Sequence, residues 1–330
     1  MAERGEVSFY LHAHLPYLLG HGTWPHGSVW LYEAAAGVYL PLLRRLERLA
    51  ADGVPFGLGV GVTPPLAEQL ADPRFESGLV EYLRNHAAAA EDDARDFTDT
   101  GETELAVLAR RRRDEFEELR RYFNRRRGSI LGALDELAAA GFIEPAAGCA
   151  THGYLPLLGR DDAVERQVRL GVLSFNRRHE SWSGGFWTPE CAYRPTRPWR
   201  RPYTDGSAVE RPSTAQALTA HDVLYTFVDG HMLRAAPPAE TPGGPEVQRS
   251  FAAFAEHHSS PHPNRSPYGV YRLEGEPLKV LARDFDANRQ VWDGFIGYPG
   301  DPHYREFHRR RWPSGLRYWR VTGKEVFVGH

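Results

Sequence analysis

The chain has 330 residues, of which 25% are charged, and a formal net charge of −3 at neutral pH. This balance argues against a nucleic-acid-binding protein and against one attracted to an anionic membrane. No apolar run approaches the roughly 20 residues that a membrane helix needs, and the N-terminus lacks the apolar core of a signal peptide. A disulfide between Cys149 and Cys191 is allowed but not required, and we expect a reduced, cytoplasmic setting.

Apolar runs bounded by Gly and Pro alternate with helical patterns along the chain. This alternation predicts βα units around a parallel sheet, which is the α/β class. The predicted strands are residues 7–11, 56–62, 185–188, 223–228, 270–273 and 278–282, and Pro64 and Pro65 stop the second of them. Chemistry in such sheets gathers beyond the carboxyl ends of the strands.

A long helical stretch is predicted between the second and third of these strands, at about residues 79–141. It contains four consecutive arginines at 110–113, followed by a charged run with apolar residues at helical spacing. A nucleic-acid patch is one interpretation. Acidic residues interleaved with the arginines favour the other, a solvated amphipathic helical hairpin that ends at Gly141.

A segment rich in Pro, Gly, Ser and His follows at about residues 235–267. It has no helical or strand periodicity, so a loop is predicted. Loops of this length are functional lids or disordered segments.

Glu190 stands in an unusual setting, between aromatic residues and prolines in the segment 185–195, GFWTPECAYRP. A carboxylate in such a rigid cleft suits a glycosidic nucleophile, which must be ionised and close to an anomeric carbon. The alternative is a buried glutamate at a strand end, satisfied by backbone N–H groups or by Arg194. Perturbed carboxylates serve structure as well as catalysis.

Three histidines form a candidate cluster. His12 and His14 lie two residues apart at the end of the first strand, so they project to one side. His152 could complete the set. Three histidines suit a zinc site with an activated water, but they also suit hydrogen bonds to sugar hydroxyls or purely structural roles, and residue types alone leave this open.

Four motifs in chain order resemble glycoside hydrolase family 57. Besides the Glu190 segment they are LHAHLPY at 11–17, GCATHGYLPLL at 148–158 and ARDFDANRQVW at 282–292. The flanking text is similar to the family's 1,4-α-glucan branching enzymes, in GTWP at 22–25, WLYEA at 30–34, GYPGDP at 297–302 and YREF at 304–307. The resemblance runs from about residue 7 to about residue 323 and is weaker across 229–267.

The resemblance implies a single catalytic domain, residues 1–330, built as a distorted (β/α)7-type barrel with the helical insertion at about 79–141 and a mobile loop at about 235–267. It implies an enzyme of glycogen synthesis acting on α-1,4-glucan. Such enzymes cut an α-1,4 bond and form an α-1,6 bond by retaining double displacement, with no cofactor and no metal.

The resemblance also assigns residues. Glu190 is the nucleophile, and His12, His14 and His152 bind sugar hydroxyls around the cleaved bond. Trp187 and Trp24 are expected to be glucose-stacking platforms, with core packing as the alternative. Asp284 is expected in the substrate cleft, or in an ion pair with Arg283 or Arg289.

One family feature is missing. The family's general acid is an aspartate in a further motif, well beyond the stretch that reads RYWRVTG at 317–323, and the chain does not contain that motif. We therefore expect the last part of the barrel and the C-terminal helical domain to be absent, and activity of this chain alone stays open.

Three alternatives remain. They are a family-57 amylase or 4-α-glucanotransferase, an inactive glucan-binding member, and a metal-dependent deacetylase on a related barrel. New α-1,6 linkages would exclude the first, and turnover would exclude the second. The third requires bound zinc near one equivalent.

Overall fold

The computed structural model describes residues 8–25, 27–200, 206–233, 266–273 and 275–322. Its strands are β1 (Phe9–Ala13), β2 (Leu58–Val62), β3 (Ile143–Gly148), β4 (Gly185–Trp187), β5 (Arg197–Trp199), β6 (Val209–Arg211), β7 (Tyr225–Asp229), β8 (Val270–Arg272) and β9 (Lys279–Arg283). Seven of them form one sheet in the order β1-β2-β3-β4-β7-β9-β8. Neighbours run parallel except for the edge pair β8 and β9, while β5 and β6 form a separate antiparallel pair.

The six predicted strands all occur, with small shifts at their ends. The strand β3, which lies between β2 and β4 in the sheet, was not predicted from the sequence. The reason is Pro145, since a proline inside an apolar run argues against a central strand. Pro145 nevertheless takes a regular place opposite Val60 of β2.

The helices surround this sheet. They are α1 (Ser28–Ala34), which continues into a π-helical turn (Ala35–Tyr39), α2 (Leu40–Ala51), α3 (Pro64–Leu70), α4 (Pro73–Asp99), α5 (Thr103–Arg125), α6 (Ile130–Ala139), α7 (Asp161–Asn176), α8 (Thr214–Thr219), α9 (Gly230–Leu233) and α10 (Phe285–Trp292). Across the described ranges, every helix is too short or too polar to span a bilayer.

The predicted helical insertion consists of three helices, α4, α5 and α6. It begins at Pro73, earlier than predicted, because the side chain of Asp72 accepts a hydrogen bond from Arg74 N at 2.8 Å and caps α4. The last of these helices, α6, ends at Ala139, and Gly141 follows in a left-handed conformation (φ 79°).

The charged run of the insertion lies on an amphipathic hairpin. Phe75 of α4 and Phe123 of α5 are fully buried and meet edge to face, 6.1 Å between ring centroids. On the outer side, Arg113 pairs with Glu91 at 2.5 Å and Arg120 with Glu117 at 2.8 Å. These ion pairs are those expected of interleaved charges on solvated helices.

A cluster of buried apolar side chains supports the middle of the sheet. It joins α7 and α8 to β4 through buried Val168, Phe175, Phe186 and Leu218. The predicted loop at 235–267 lies almost entirely outside the described residues, as do residues 323–330.

Candidate active site

Parallel strands bring the predicted site residues to one edge of the sheet. His14 follows β1, His152 follows β3 and Glu190 follows β4, and each comes after the carboxyl end of its strand. Since β1 to β4 are neighbours and parallel, these ends lie side by side.

Five aromatic side chains stack in a continuous series, which we call the ring column. Its order is Tyr10, Trp187, His12, His152 and His14, with centroid separations of 5.0, 4.6, 4.9 and 3.9 Å. Adjacent rings are within 23° of parallel. The structure therefore brings His12, His14, His152 and Trp187 together.

Tyr10 was missed in the sequence, where it reads as one more apolar strand residue. Its ring lies against β2 where a Cβ on Gly59 or Gly61 would come within 2.5 or 2.2 Å of it. The glycine-interleaved pattern of β2 is the signal that could have indicated it, because glycines in a strand mark a close approach. Tyr10 thus forms the partly buried base of the ring column.

Glu190 lies on a strained turn. Pro189–Cys191 form a single 3₁₀ turn, in which Glu190 (φ 57°) and Cys191 (φ 52°) both take left-handed conformations. Such conformations cost on the order of 1–3 kcal/mol each for residues other than glycine, and they cluster at active sites. The turn presents the Glu190 side chain to solvent, 72% exposed, with Oε1 3.8 Å from His152 Nε2.

The alternative of a buried glutamate held by Arg194 does not match this geometry. Arg194 is buried and donates to the carbonyl oxygens of Pro156 and Pro212, at 3.4 and 2.9 Å. Its guanidinium binds the backbone of neighbouring loops, so the carboxylate of Glu190 is accessible to a ligand.

The loop after β3 is held by α7. Gln167 of that helix accepts backbone hydrogen bonds from Ala150 N and Thr151 N, both at 2.9 Å. His152 follows in a left-handed conformation (φ 56°). His14 is oriented from the other side by a 3.0 Å hydrogen bond between its Nδ1 and Thr63 Oγ1, at the end of β2.

The three histidines are neutral. Burial, then the neighbouring His152 and His14, lower the pKa of His12 to about 3. Burial and His152 lower the pKa of His14 to about 4, against an opposing influence of Glu190. Burial also lowers the pKa of His152. Neutral imidazoles both donate and accept hydrogen bonds, as sugar hydroxyls require.

The depressed pKa of His12 predicts a stability that falls on acidification. Below pH 6.5, the ordinary pKa of histidine, His12 of the unfolded chain binds a proton. His12 of the folded chain stays neutral down to about pH 3. Between pH 7 and pH 5 the free energy of unfolding should fall by about 2 kcal/mol from this group. Urea unfolding at pH 7 and at pH 5 measures this loss of unfolding free energy. His12→Gln should remove the contribution of about 2 kcal/mol, whereas His303→Gln, at an exposed position, should keep it.

A metal site is a poor match for the ring column. Its imidazoles face one another in a stack, and within the described ranges no three His, Cys, Asp or Glu side chains are placed to hold an ion. Several buried ring nitrogens of the described structure have no hydrogen-bond partner: His12 Nδ1 and Nε2, His152 Nδ1 and Trp187 Nε1. Unpaired buried donors and acceptors cost about 1–3 kcal/mol each, so polar groups of a ligand are a natural complement.

Trp24 lies elsewhere. It is 71% exposed and lines a cavity of about 510 Å³, between α1, the hairpin of α4 and α5, and the segment 304–317. The described lining of that cavity includes no member of the ring column.

Asp284 has a local structural role at the end of β9. Its Oδ1 accepts from Ala287 N at 2.7 Å and caps α10, and its Oδ2 accepts from the hydroxyl of the exposed Tyr268 at 2.8 Å. Arg283 instead pairs with Asp229, and Arg289 lies 3.7 Å from Asp293. The sequence did not indicate the contact with Tyr268, because the two residues are brought together only by the pairing of β8 with β9.

A parallel sheet whose carboxyl edge carries an exposed carboxylate beside neutral histidines places the chain among α/β proteins with a candidate active site at the strand ends. The chain belongs to glycosyl hydrolase family 57, whose family model matches residues 8–312. The (β/α)7-type barrel predicted from the motifs is thereby confirmed for the portion present, as a mostly parallel seven-stranded sheet with helices.

Similar proteins and similar solved structures support this family assignment. The chain is 36% identical over 326 residues to a 1,4-α-glucan branching enzyme of Thermococcus kodakarensis, covering 99% of this chain and 45% of that one. It matches the GH57-type branching enzyme structure from Pyrococcus horikoshii with a TM-score of 0.84 and 36% identity, over 97% of this chain and 54% of that one. The α-amylase AmyC of Thermotoga maritima matches with a TM-score of 0.74 and 25% identity, over 99% and 58%. The chain thus spans about half the length of the relatives it matches.

Proposed function

We propose that this chain carries the nucleophile-bearing part of a 1,4-α-glucan branching enzyme. The observation that carries the proposal is the strained, exposed turn at Glu190, which sets the carboxylate 3.8 Å from His152 at the edge of the sheet. Similarity to branching enzymes at 36% identity supports the choice of reaction within the family.

In this mechanism a Glu190 oxygen attacks the anomeric carbon of an α-1,4-linked glucose unit. The bond from that carbon to the 4-oxygen breaks, and a covalent glucosyl-enzyme forms. The 6-hydroxyl of a second glucan chain then attacks the same carbon, which forms an α-1,6 bond and releases Glu190 as a carboxylate. The hydroxyl gives its proton to the base that was left when the 4-oxygen was protonated. No cofactor enters this balance.

The ring column has a defined part in the proposal. His12, His14 and His152, held neutral, hydrogen-bond the sugar hydroxyls, and Trp187 supports them from below. Because the rings are stacked on Tyr10, they are oriented before substrate arrives, which lowers the entropic cost of binding.

The first displacement also needs a proton for the departing 4-oxygen, a step that contributes typically 10²–10⁴-fold to the rate. We assign this role to no residue of the chain. Asp284, at the end of β9, stays a proposed substrate contact, and Trp24 stays a proposed glucose platform in its own cavity, away from the ring column. Glycogen synthesis and a cytoplasmic location are part of the same proposal, and the buried free thiols of Cys149 and Cys191 suit a reducing compartment.

The test is incubation of the purified chain with amylose, with α-1,6 linkages counted by proton NMR. New α-1,6 signals support branching. Reducing ends without α-1,6 signals would instead establish an amylase, the candidate favoured by the match to AmyC. Glycogen binding with no turnover would leave a glucan-binding protein, and zinc near one equivalent in the purified chain would point to the deacetylase alternative.

A further inference from the structure

The cavity beside Trp24 is rich in arginine. Its described lining includes Arg112 from α5 and Arg305, Arg310 and Arg317 from the segment 304–317, with Glu33 as the acidic member. We call this cavity the arginine cleft. None of these residues takes part in the chemistry proposed at Glu190.

The arginines outnumber their acidic partners. Arg317 is paired with Glu33, and Arg112 with Glu115 of the same helix. Among the residues that the structure describes, Arg305 and Arg310 have no carboxylate within ion-pair distance. Counting only the described residues, the cleft therefore holds more positive than negative charge.

Arg305 is the focus of this excess charge. The residue as a whole is exposed, but burial of its guanidinium lowers the pKa of that group, and Arg112 lowers it further. Glu115 opposes this shift, and Arg317 adds to it. Like charges held together in a concave, partly desolvated site are relieved by a bound anion.

Aromatic rings surround the arginines. Trp24, Trp312 and Phe307 are 71%, 70% and 62% exposed, and all three line the cleft. The Arg317 guanidinium lies 4.5 Å from the centroid of Phe307, so cationic groups and ring faces alternate along one surface. Exposed rings offer apolar faces to a sugar, and arginine forks match phosphate oxygens better than a point charge does.

We propose that the arginine cleft binds a phosphomonoester carried by a glucose unit, with the phosphate on Arg305 and its neighbours and the sugar on the exposed rings. The ligand is either a free hexose phosphate or a phosphorylated α-glucan chain. This site is separate from the Glu190 turn, and its occupation does not depend on catalysis there.

Titration calorimetry on the full chain tests the proposal, in a Glu190→Gln background that prevents turnover. The probes are inorganic phosphate, glucose, glucose 6-phosphate, maltotriose and maltotriose 6-phosphate. The phosphorylated sugars should bind at least about tenfold more tightly than their neutral counterparts, because charge-assisted hydrogen bonds to arginine are strong. Raised salt should weaken this gain.

Arg305→Gln should abolish the gain, whereas Arg121→Gln, at an exposed position of α5, should keep it. A gain for maltotriose 6-phosphate alone identifies a glucan chain as the ligand, and a gain for glucose 6-phosphate alone identifies a free sugar phosphate. Equal binding of phosphorylated and neutral sugars, or a gain that survives Arg305→Gln, overturns the proposal. Neither result bears on branching, which the amylose assay decides separately.

Discussion

Replacing Glu190 with glutamine is expected to lower glucan transfer on the order of 10⁴-fold or more, the scale seen when a covalent nucleophile is removed. Glutamine keeps the size of the side chain and its place on the turn, but its amide does not attack an anomeric carbon. The measurement is the rate of α-1,6 bond formation from amylose, followed by proton NMR. Glucan affinity should change little, because Glu190 is needed for bond formation rather than for holding the chain.

The matched control is Glu180→Gln, an exposed glutamate shortly before β4. It should transfer glucan at the parent rate. Parent-like transfer by Glu190→Gln would remove the nucleophile assignment, whatever the control does. Because Glu190 is 72% exposed, the substitution should not alter the free energy of unfolding by more than about 0.5 kcal/mol, the range of surface changes, so loss of activity would not reflect loss of fold.

Replacing Gly171 with alanine is expected to destabilise the protein by about 3 kcal/mol, the upper range for overpacking a core. Gly171 lies in the middle of α7, where an added Cβ would come 2.0 Å from Gly148 O and 3.3 Å from Ala150 N. Both neighbours are backbone, so α7 must move away from β3. Urea unfolding at constant pH measures the loss.

The same displacement should disturb the site. Gln167, one turn before Gly171, holds the backbone of Ala150 and Thr151 ahead of His152. Gly171→Ala should therefore weaken glucan binding even at temperatures where the variant is folded. Gly37→Ala is the control, since nothing lies within 4 Å of its added Cβ. It should be neutral, or stabilising by up to about 1 kcal/mol, and an unfolding free energy equal for both variants would refute the close-contact argument.

The candidate site residues could be located along the chain because the ends of strands and helices follow from local sequence patterns. Apolar runs at residues 7–11, 185–188 and 278–282 predict parallel strands, and parallel strands gather chemistry at their carboxyl ends. Gly141 and the proline pair after β2 ended their elements for reasons of backbone geometry alone. β3 was not predicted because Pro145 locally disfavours a central strand. In the folded chain, the pairing of β3 with β2 and β4 outweighs that preference.

The sequence alone determined the family, the parallel βα plan and the residues placed at the edge of the sheet, because these depend on motif order and on the period of the apolar residues. Only the tertiary structure decided how those residues meet. The order of stacking in the ring column, the base provided by Tyr10 and the use of Asp284 as a cap each join segments far apart in the chain. Such contacts depend on the order of the strands in the sheet and on close backbone approaches such as that of Gly171 to Gly148. The spacing of residues within a single segment of the sequence does not encode them.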